Sequence, residues 1–526
     1  MFEKMKMKAE PMNAVLAKVM EICPAAVQNG KINFERLRQE LGDAIDNDIN
    51  ESYNFTWVGK REAIREANSS INKTLRPYKE ESKNWDTTEN LYIEGDNLDA
   101  LKLLQESYLG KVKMIYIDPP YNTGKDFIYK DNFKKDKTEY LLDLGIDDED
   151  TGERLFCNTE TNGRFHSDWC SMLYPRLKLA RDFLTDDGVI FISIDDNEVA
   201  NLRKICDEIF GEGNFIKYLV WESGKPFGFK ATTTTWPRCH EYVLHYAKNI
   251  NNMTYIPTYT IENSSNGEPI MTSSIIKAKE NGIYSMDWVQ GAKESVGFGS
   301  GQKPIKLIHK LLNNATYPNN DIILDFFSGS ATTAHAVMQL NAEDGGKRRF
   351  IMVQLPEPCK DGEYKNICEI GKERIRRAGE KIITDAGLIN KELDIGFRVL
   401  KVDDSNMKDV YYTPSELNKE SLSVDNIKKD RSPLDLLFGV MIDWGMSLSS
   451  PIIEKKIGEN TVFIVGDDAL VACFDKEISE DVFCEIAKMN SIRAVFRDAS
   501  FKDDSAKINV FEIFKSIGLA PEIKVI

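Results

Sequence analysis

The pattern of hydrophobic and polar positions divides the chain into three parts. Residues 1–85 are charged and mostly helical in pattern, and this periodicity fades near residue 85. From Leu91 to about Leu400, short apolar runs that predict buried strands alternate with segments that predict helices. The predicted strands are Val112–Ile117, Val189–Ile194, Asp321–Leu324 and Phe350–Gln354. The predicted helices are Asp168–Leu184, Asn197–Phe210, Lys303–Leu312 and Thr332–Leu340. This alternation predicts an α/β fold with a doubly wound, mostly parallel sheet.

Changes in the pattern predict the domain boundaries. We expect a mostly helical N-terminal region at 1–85, an α/β domain formed by 86–214 and 302–400, an inserted region at 215–301 and a C-terminal domain at 401–526. Strand-like runs predict that the last of these is a small α/β or α+β domain, and they lie at Thr461–Val465, Leu470–Phe474 and Ile492–Phe496. At about 150 residues per domain, 526 residues suit three or four domains.

Composition narrows the class of protein. The chain is 42% hydrophobic and contains no apolar run long enough to span a membrane, and its start lacks a signal-peptide pattern. We therefore expect a cytoplasmic protein that does not enter the membrane. Nine cysteines are scattered without a CxxC pair, and only five histidines could join them as ligands. This spacing predicts reduced cysteines and no bound metal.

The net charge of −16 counts against a polyanionic partner, because phosphate binding depends on lysine and arginine. A nucleic-acid site would need a local basic surface. One candidate is Phe215–Lys248, where basic residues and aromatic residues are interleaved. An ordinary solvated loop is the alternative interpretation of this segment.

A stiff turn follows the first predicted strand. Val112–Ile117 runs directly into Asp118-Pro119-Pro120-Tyr121, at the strand end where open parallel sheets bind ligands. Two successive prolines fix φ and have no N–H, so helix formation cannot take up the carbonyl groups of the turn. The Asp118 carboxylate and the Pro119 carbonyl suit an exocyclic NH₂ group, and Tyr121 offers a face on which a base can stack. On these residues alone, a strand-terminating turn without a ligand is an equally good interpretation.

A second turn, between the strand Asp321–Leu324 and the helix Thr332–Leu340, is typical of sites for nucleotide-like cofactors. Asp325 lies at the strand end, and Gly329 allows the backbone to approach a ligand closely. The N–H groups at the start of the helix can meet a carboxylate or a phosphate. A tight strand-to-helix turn without a ligand is the alternative.

Together the two turns resemble those of the DNA amino-methyltransferases that use S-adenosylmethionine. Asp118–Tyr121 matches the DPPY motif and Phe327–Ala331 matches the FxGxG motif, in the order of the permuted class beta enzymes. Other stretches are similar to the modification (Mod) subunits of type III restriction-modification systems, namely 163–184, 188–198, 240–249, 303–308, 348–357, 443–456 and 495–510. The resemblance covers most of 85–526 and implies a Rossmann-like methyltransferase domain at 86–214 and 302–400.

The resemblance also implies a cofactor pocket. Asp96 would contact the adenine of S-adenosylmethionine, and Gln354 would replace the acidic residue that holds the ribose in many relatives. Lys303 and Pro304 would close over the methionine moiety, with Lys303 near its carboxylate, although a solvated lysine at a helix start is nearly as good an interpretation. The second turn completes the implied set with Asp325, Phe327, Gly329, Ser330 and Thr332. Ala331 replaces the second glycine of the motif, which we expect to narrow the pocket.

The implied reaction is methyl transfer to an amine of a flipped DNA base, with catalysis by Asp118, Pro119, Pro120 and Tyr121. Asp118, where cytosine-N4 enzymes commonly have serine, favours adenine N6. We interpret His166 as a capping residue at a helix start and His335 as a core residue.

One region departs from the family. Mod subunits read their target through a long segment, whereas only about 250–302 is available here, within a shortened target-recognition region at 215–301. The favoured function is an adenine-N6 methyltransferase that binds double-stranded DNA as a homodimer and can partner a separate restriction (Res) subunit. The alternatives are a DNA-binding or assembly subunit with degenerate target recognition, or a cytosine-N4 methyltransferase.

Overall fold

The structure of the chain is a computed structural model. It describes residues 27–28, 31–34, 36–37, 54–124, 127–129, 155–158, 162–222, 239–257, 259–260, 270–271, 275–277, 303–359, 364–386, 393–408, 426–517 and 521–526. The chain divides into two compact units. The first unit contains Ile71–Tyr108 and Ile351–Ile526, and the second contains Leu109–Phe350 with the described residues before Ile71.

Helices and strands alternate along most of the described chain. The α-helices are α1 (Lys60–Ala67), α2 (Asn97–Tyr108), α3 (Phe165–Phe183), α4 (Val199–Phe210), α5 (Ile305–Ala315), α6 (Thr332–Asp344), α7 (Ile367–Ala386), α8 (Pro433–Asp443), α9 (Glu480–Ala487) and α10 (Asp504–Ile517). The strands up to residue 200 are β1 (Val27–Gln28), β2 (Lys31–Ile32), β3 (Lys73–Lys83), β4 (Leu91–Glu94), β5 (Val112–Ile117), β6 (Phe127–Tyr129), β7 (Leu155–Cys157) and β8 (Leu184–Ile194). Those from 200 to 360 are β9 (Phe215–Glu222), β10 (His240–Ala247), β11 (Tyr259–Thr260), β12 (Ile270–Met271), β13 (Ile275–Lys277), β14 (Ile322–Asp325) and β15 (Arg349–Gln354). The remaining strands are β16 (Phe397–Asp404), β17 (Ile452–Ile457), β18 (Asn460–Val465), β19 (Leu470–Cys473), β20 (Arg493–Phe496) and β21 (Glu522–Val525).

The predicted helices and strands between 112 and 354 are all present, with ends displaced by a few residues. The predicted α/β fold class is confirmed. None of the described helices is both long enough and apolar enough to cross a membrane.

Three parallel strands form the centre of the sheet in the second unit. β14 pairs with β5 and β5 pairs with β8, both in parallel. Beyond β8 lie β10 and β9, which are antiparallel, and β13 pairs with β9 in parallel. Every residue of β5 and β14 is buried, which explains why these strands are apolar except for Lys113, which pairs with Asp187, and Asp325. Because β14, β5 and β8 run in parallel, their carboxyl ends meet at one edge of the sheet, and the antiparallel β10 begins at that same edge.

The first unit contains two sheets. In one, β15, β4 and β16 are parallel neighbours, and β3 pairs antiparallel with β16. In the other, the strands from β17 to β21 follow each other in chain order. Its buried cluster brings together residues of α9, α10 and the central strands, including Phe483, Phe496 and Phe514. This second sheet contains the strand-like runs that predict a small C-terminal α/β or α+β domain.

Two segments differ from the sequence expectations. The strand β3 lies within 1–85, which we expect to be mostly helical, and its charged sequence reflects its place at the edge of a sheet, where Pro77 is tolerated. The strands β9 and β10 lie within 215–301 but pair with β8, so they extend the main sheet of the second unit. The segment Phe215–Lys248, which the sequence offers as a basic surface or a solvated loop, therefore begins with β9 and ends with β10. Residues 223–238 between them lie outside the described residues.

A buried arginine stabilises the first unit. Arg398, on β16, is only 1% exposed. Its guanidinium donates hydrogen bonds to the carbonyl oxygens of Trp85, Leu448 and Ser450, at 2.9–3.0 Å. It also lies 5.0 Å from the Trp85 ring centroid. Burial lowers the pKa of Arg398 to about 10, and these carbonyl groups satisfy the charge that burial would otherwise leave unsolvated.

Replacement of Arg398 by methionine tests this interpretation. Arg398→Met keeps much of the side-chain volume but leaves three carbonyl groups without their donor, so we expect the free energy of unfolding to fall by about 2–4 kcal/mol. Thermal unfolding followed by circular dichroism measures the effect. Arg65→Met is the control, because the Arg65 side chain is 75% exposed and should change stability by less than about 0.5 kcal/mol. Equal unfolding temperatures for the two variants would contradict this role of Arg398.

Candidate active site

The turn Asp118–Tyr121 lies at the carboxyl edge of the sheet in the second unit. Asp118 follows β5 directly, and Asp325 is the last residue of the neighbouring strand β14. The parallel register pairs Leu324 with Ile115, so both acidic residues leave the sheet at the same edge. The Asp118–Tyr121 turn and the turn after Asp325 therefore lie at the same edge of the sheet, within one compact unit.

Buried side chains hold the turn in place. The indole N–H of Trp169, on α3, donates to the carbonyl oxygen of Pro120 at 2.7 Å. Asn122, which follows Tyr121, has a positive φ of 58° and is 1% exposed. Its amide donates to the Glu198 carboxylate at 2.6 Å. Glu198 is itself fully buried after β8, so the turn is fixed by two elements of the same unit.

Lys303 reaches the turn from the start of α5. Pro304 is the N-cap residue of this helix, and the residue before a proline is held in an extended conformation, which directs Lys303 away from the helix. The Lys303 ammonium lies 2.6 Å from Glu241 Oε2 and 3.4 Å from Asp118 Oδ1. It also contacts the Tyr121 hydroxyl, which donates to Glu241 Oε2 at 3.1 Å.

The electrostatics of Asp118 are set by burial and by these neighbours. Burial raises the pKa of the Asp118 carboxyl, the Lys303 charge lowers it, and the Glu241 charge raises it again. The two carboxylates raise the pKa of Lys303 although burial opposes this, so Lys303 carries a charge. Asp118 Oδ1 is buried and accepts no hydrogen bond from any described residue. The turn thus presents a carboxylate oxygen that is stabilised by a nearby cation and remains available to a donor.

The second turn is built around Asp325. Its carboxylate accepts hydrogen bonds from the Thr333 hydroxyl at 2.6 Å and from the Phe327 N–H at 3.1 Å, which ties the strand end to the start of α6. Gly329 has a φ of 50°, and a Cβ placed there would meet no atom within 4 Å. Ala331 has a left-handed conformation, with φ 61°, that a glycine would adopt without strain. Phe327, Ser330 and Thr332 are buried in this turn.

Two of the predicted cofactor residues lie in the first unit. Asp96 follows β4 and caps α2, because its Oδ1 accepts the N–H groups of Leu98 and Asp99. Gln354 ends β15, and its carbonyl oxygen accepts the Gly95 N–H at 3.0 Å. Asp96 and Gln354 therefore lie at the ends of paired parallel strands, and their cofactor roles stay predictions.

The structure changes the interpretation of some side chains. We expect Lys303 near a ligand carboxylate, whereas its ammonium lies between two carboxylates of the protein. We expect His166 to cap a helix, but Arg164 is the N-cap residue and His166 Nδ1 lies 2.6 Å from Glu198 Oε1. His335 is buried, as we expect for a core residue. Within the described residues, no group of three or more His, Cys, Asp or Glu residues could hold a metal ion.

Sequence reasoning missed Trp169, Glu198 and Glu241. Glu198 follows β8 and Glu241 is the second residue of β10, so both stand at the edge where Asp118 lies. Glu198 ends the acidic stretch 195–198 between the predicted strand Val189–Ile194 and the next helix, and this stretch was a signal for it. Glu241 could have been found only by recognising that β10 runs antiparallel to β8, because this direction brings its first residues to the site.

A cavity of about 550 Å³ adjoins the turn. Its described lining is polar and includes Asn122, Thr123, Asn162, Arg164, His166 and Asn197. Amide, hydroxyl and imidazole groups of this kind can form hydrogen bonds with a nucleotide.

The DNA methylase family model matches residues 112–379, which contain both turns and Lys303. The chain belongs to the DNA methylase family. Its relatives include the Mod subunit of the type III restriction-modification enzyme StyLTI from Salmonella typhimurium, which is 31% identical over 71% of this chain and 69% of that protein. The Mod subunit of the type III enzyme EcoPI from Escherichia phage P1 is 30% identical over 72% of this chain and 76% of that protein. The predicted resemblance to type III Mod subunits is thereby confirmed.

A crystal structure of M1.HpyAVI with S-adenosylmethionine is also similar to this DNA methylase. The match covers 54% of this chain and 98% of the M1.HpyAVI chain, with 17% sequence identity and a TM-score of 0.32.

Asp325 gives the stability of this DNA methylase a specific pH dependence. Burial raises its pKa from 3.8 to about 7, although the hydrogen bonds from Thr333 and Phe327 oppose the shift. A carboxyl whose pKa is raised by folding favours the folded state below its unfolded pKa, and this contribution is lost as the pH rises through the folded pKa. We expect Asp325→Asn to gain stability relative to the parent between about pH 4 and pH 8, by at most about 4 kcal/mol. Thermal unfolding across this range measures the difference, and a difference that stays constant with pH would contradict the account.

Proposed function

We propose that this protein transfers a methyl group from S-adenosylmethionine to N6 of an adenine flipped out of double-stranded DNA. In this proposal it is the modification subunit of a type III restriction-modification system. The observation that carries the proposal is the Asp118 carboxylate, which a stiff and anchored turn presents at the edge of the sheet beside the Phe327–Ala331 turn. Membership of the DNA methylase family supports it.

Asp118 and Pro119 act on the amine. The lone pair of adenine N6 is delocalised into the ring, so the amine is a poor nucleophile. Hydrogen bonds from its two N–H groups to the Asp118 carboxylate and the Pro119 carbonyl favour a pyramidal nitrogen with a localised lone pair. Transfer of the methyl group leaves one proton to be released from this nitrogen, and in this proposal Asp118 is the base that accepts it.

Tyr121 and the turn hold the base. An amine in a duplex is enclosed in the base stack, so the base must leave the helix before it can react. The Tyr121 ring supplies a stacking surface, and the bonds of Trp169 to Pro120 and of Glu198 to Asn122 fix the turn on both sides of it. The cavity beside Asn122 offers hydrogen-bonding groups to the DNA around the flipped nucleotide.

The residues of the second turn fit S-adenosylmethionine. Ser328 Oγ is buried and has no hydrogen-bond partner among the described residues, and the space beside Gly329 is open. Phe327, Gly329, Ser330 and Thr332 would hold the cofactor there, together with Asp325. The family resemblance implies that Asp96 and Gln354 bind adenosine. When bound, the cofactor supplies an electrophilic methyl group on a sulfonium. Asp325, with its raised pKa, orders the turn through Phe327 and Thr333.

The partners form part of the same proposal. We infer a cytoplasmic homodimer that binds double-stranded DNA and that can assemble with a Res subunit, as the type III classification of its relatives suggests. The inserted region at 250–302, which falls largely outside the described residues, would contribute target recognition together with the 215–248 segment.

Asp118→Ala tests the proposal. The parent protein should transfer radioactive methyl groups from labelled S-adenosylmethionine to unmethylated genomic DNA, and the variant should lose at least about a thousandfold in rate, because it lacks the acceptor and base at the amine. Asp481→Ala is the control, since Asp481 is exposed on α9 and outside the site. Digestion of the labelled DNA to nucleosides should give labelled N6-methyl-2′-deoxyadenosine.

Other outcomes identify the alternatives. Recovery of the label in N4-methyl-2′-deoxycytidine would show that the methylated position is N4 of cytosine and not N6 of adenine. DNA binding without transfer by the parent would favour a DNA-binding or assembly subunit with degenerate target recognition. Equal activity of Asp118→Ala and Asp481→Ala would exclude the proposed role of the turn.

A further inference from the structure

We propose that Glu241 is a positioning residue that keeps the Lys303 ammonium off Asp118, so that Asp118 can accept the hydrogens of the target amine. This inference rests on the proposed function. It concerns a side chain that lies outside both turns and that is brought to the site by the direction of β10.

The distances distinguish the two carboxylates around Lys303. The ammonium lies 2.6 Å from Glu241 Oε2, within hydrogen-bond distance, and 3.4 Å from Asp118 Oδ1. Asp118 Oδ1 accepts no hydrogen bond from a described residue. Lys303 is thus hydrogen-bonded to Glu241 and acts on Asp118 mainly through its charge.

This arrangement matters because the ammonium and the target amine compete for one acceptor. An ammonium is a charged donor, and its hydrogen bonds to a carboxylate are stronger than those of a neutral amine. Only 10% of the Lys303 side chain is exposed, so the charge cannot turn to solvent. Without the Glu241 carboxylate, Asp118 would be the remaining anionic partner of Lys303 in this cluster, and the incoming amine would have to displace it.

The sheet fixes Glu241 in the position that this role requires. The residue opposite Glu241 is Trp221 on β9, and the next residue, Tyr242, pairs with Ile194 on β8. The backbone of Glu241 is therefore held in place by both neighbouring strands, which limits how far its carboxylate can follow Lys303 towards Asp118. On the other side, Pro304 fixes the backbone from which Lys303 extends.

Both charges are needed for an available Asp118. The groups that face Asp118 are Lys303, Glu241, Tyr121, Tyr116 and Asp325. Among them Lys303 is the cation, and its charge lowers the pKa of Asp118 against the effect of burial. Lys303 thus favours the ionised form of Asp118, while Glu241 keeps the ammonium from occupying that carboxylate.

The test compares Glu241→Gln, Lys303→Met and the double variant in the full chain. Glutamine retains an oxygen that can accept from the Tyr121 hydroxyl, so Glu241→Gln removes mainly the charge that holds Lys303. With saturating S-adenosylmethionine, we expect kcat to fall about tenfold in Glu241→Gln, while KM for DNA changes less than about twofold, because the competition occurs after the DNA is bound. The loss should diminish as the pH rises and Lys303 loses its proton.

The double variant separates positioning from a structural role. At mildly alkaline pH, where Lys303 keeps its proton and Asp118 is ionised even without the Lys303 charge, removal of the competing ammonium should restore much of the kcat that Glu241→Gln loses. Glu485→Gln is the matched control, because it removes a Glu–Lys pair of the same length, 2.6 Å, at the protein surface. Its kcat should equal that of the parent. An unchanged kcat in Glu241→Gln, or a loss that Lys303→Met does not restore, would overturn the inference.

A second measurement does not depend on methyl transfer. Acetylation of Lys303 by an amine-reactive ester, followed by peptide mass spectrometry, reports how firmly its ammonium is held. Loss of the Glu241 charge lowers the pKa of Lys303, so we expect its acetylation rate in Glu241→Gln to rise about threefold or more. Absence of methyl transfer by the parent would contradict the proposed function. An unchanged acetylation rate of Lys303 in Glu241→Gln would overturn the positioning role of Glu241, whether or not the parent transfers methyl groups.

Discussion

The parallel pairing of β5 with β14 is the constraint on which the candidate active site depends. It brings the Asp118–Tyr121 turn and the Phe327–Ala331 turn to one edge of the sheet, although about 200 residues separate them in the chain. Because every residue of both strands is buried, a slip by one residue would move each side chain to the opposite face of the sheet and disrupt the packing on both faces. The chemistry at this edge is therefore positioned by the hydrophobic core.

Charge balance is the second requirement of the site. Asp118, Glu241 and Lys303 form a cluster of two partly exposed carboxylates and one ammonium that is mostly shielded from solvent. A single carboxylate in this place would tend to bind a proton, while a carboxylate hydrogen-bonded to the lysine would be closed to an amine. The third charge resolves this conflict.

The sequence predicts the parts of this site that are local in the chain. The continuous apolar run before Asp118 and the glycine-containing turn after Leu324 identify two strand ends, and the resemblance to known motifs joins them. Glu241 and Trp169 could not be found in this way, because their roles depend on the antiparallel direction of β10 and on the packing of α3 against the turn. The charged strand β3 was not predicted for a related reason: the helical periodicity fades there, and its pairing with β16 is a contact between distant segments.

The central claim is that Asp118 accepts the hydrogens of a base amine. A crystal structure of the protein with a cofactor analogue and a DNA duplex that contains its target site tests this most directly. The account predicts an extrahelical adenine whose N6 lies within about 2.7–3.2 Å of an Asp118 oxygen, stacked on Tyr121, with Lys303 retained by Glu241. A base bound in this pocket with its amine directed away from Asp118, or with Lys303 bound to Asp118 instead, would contradict it.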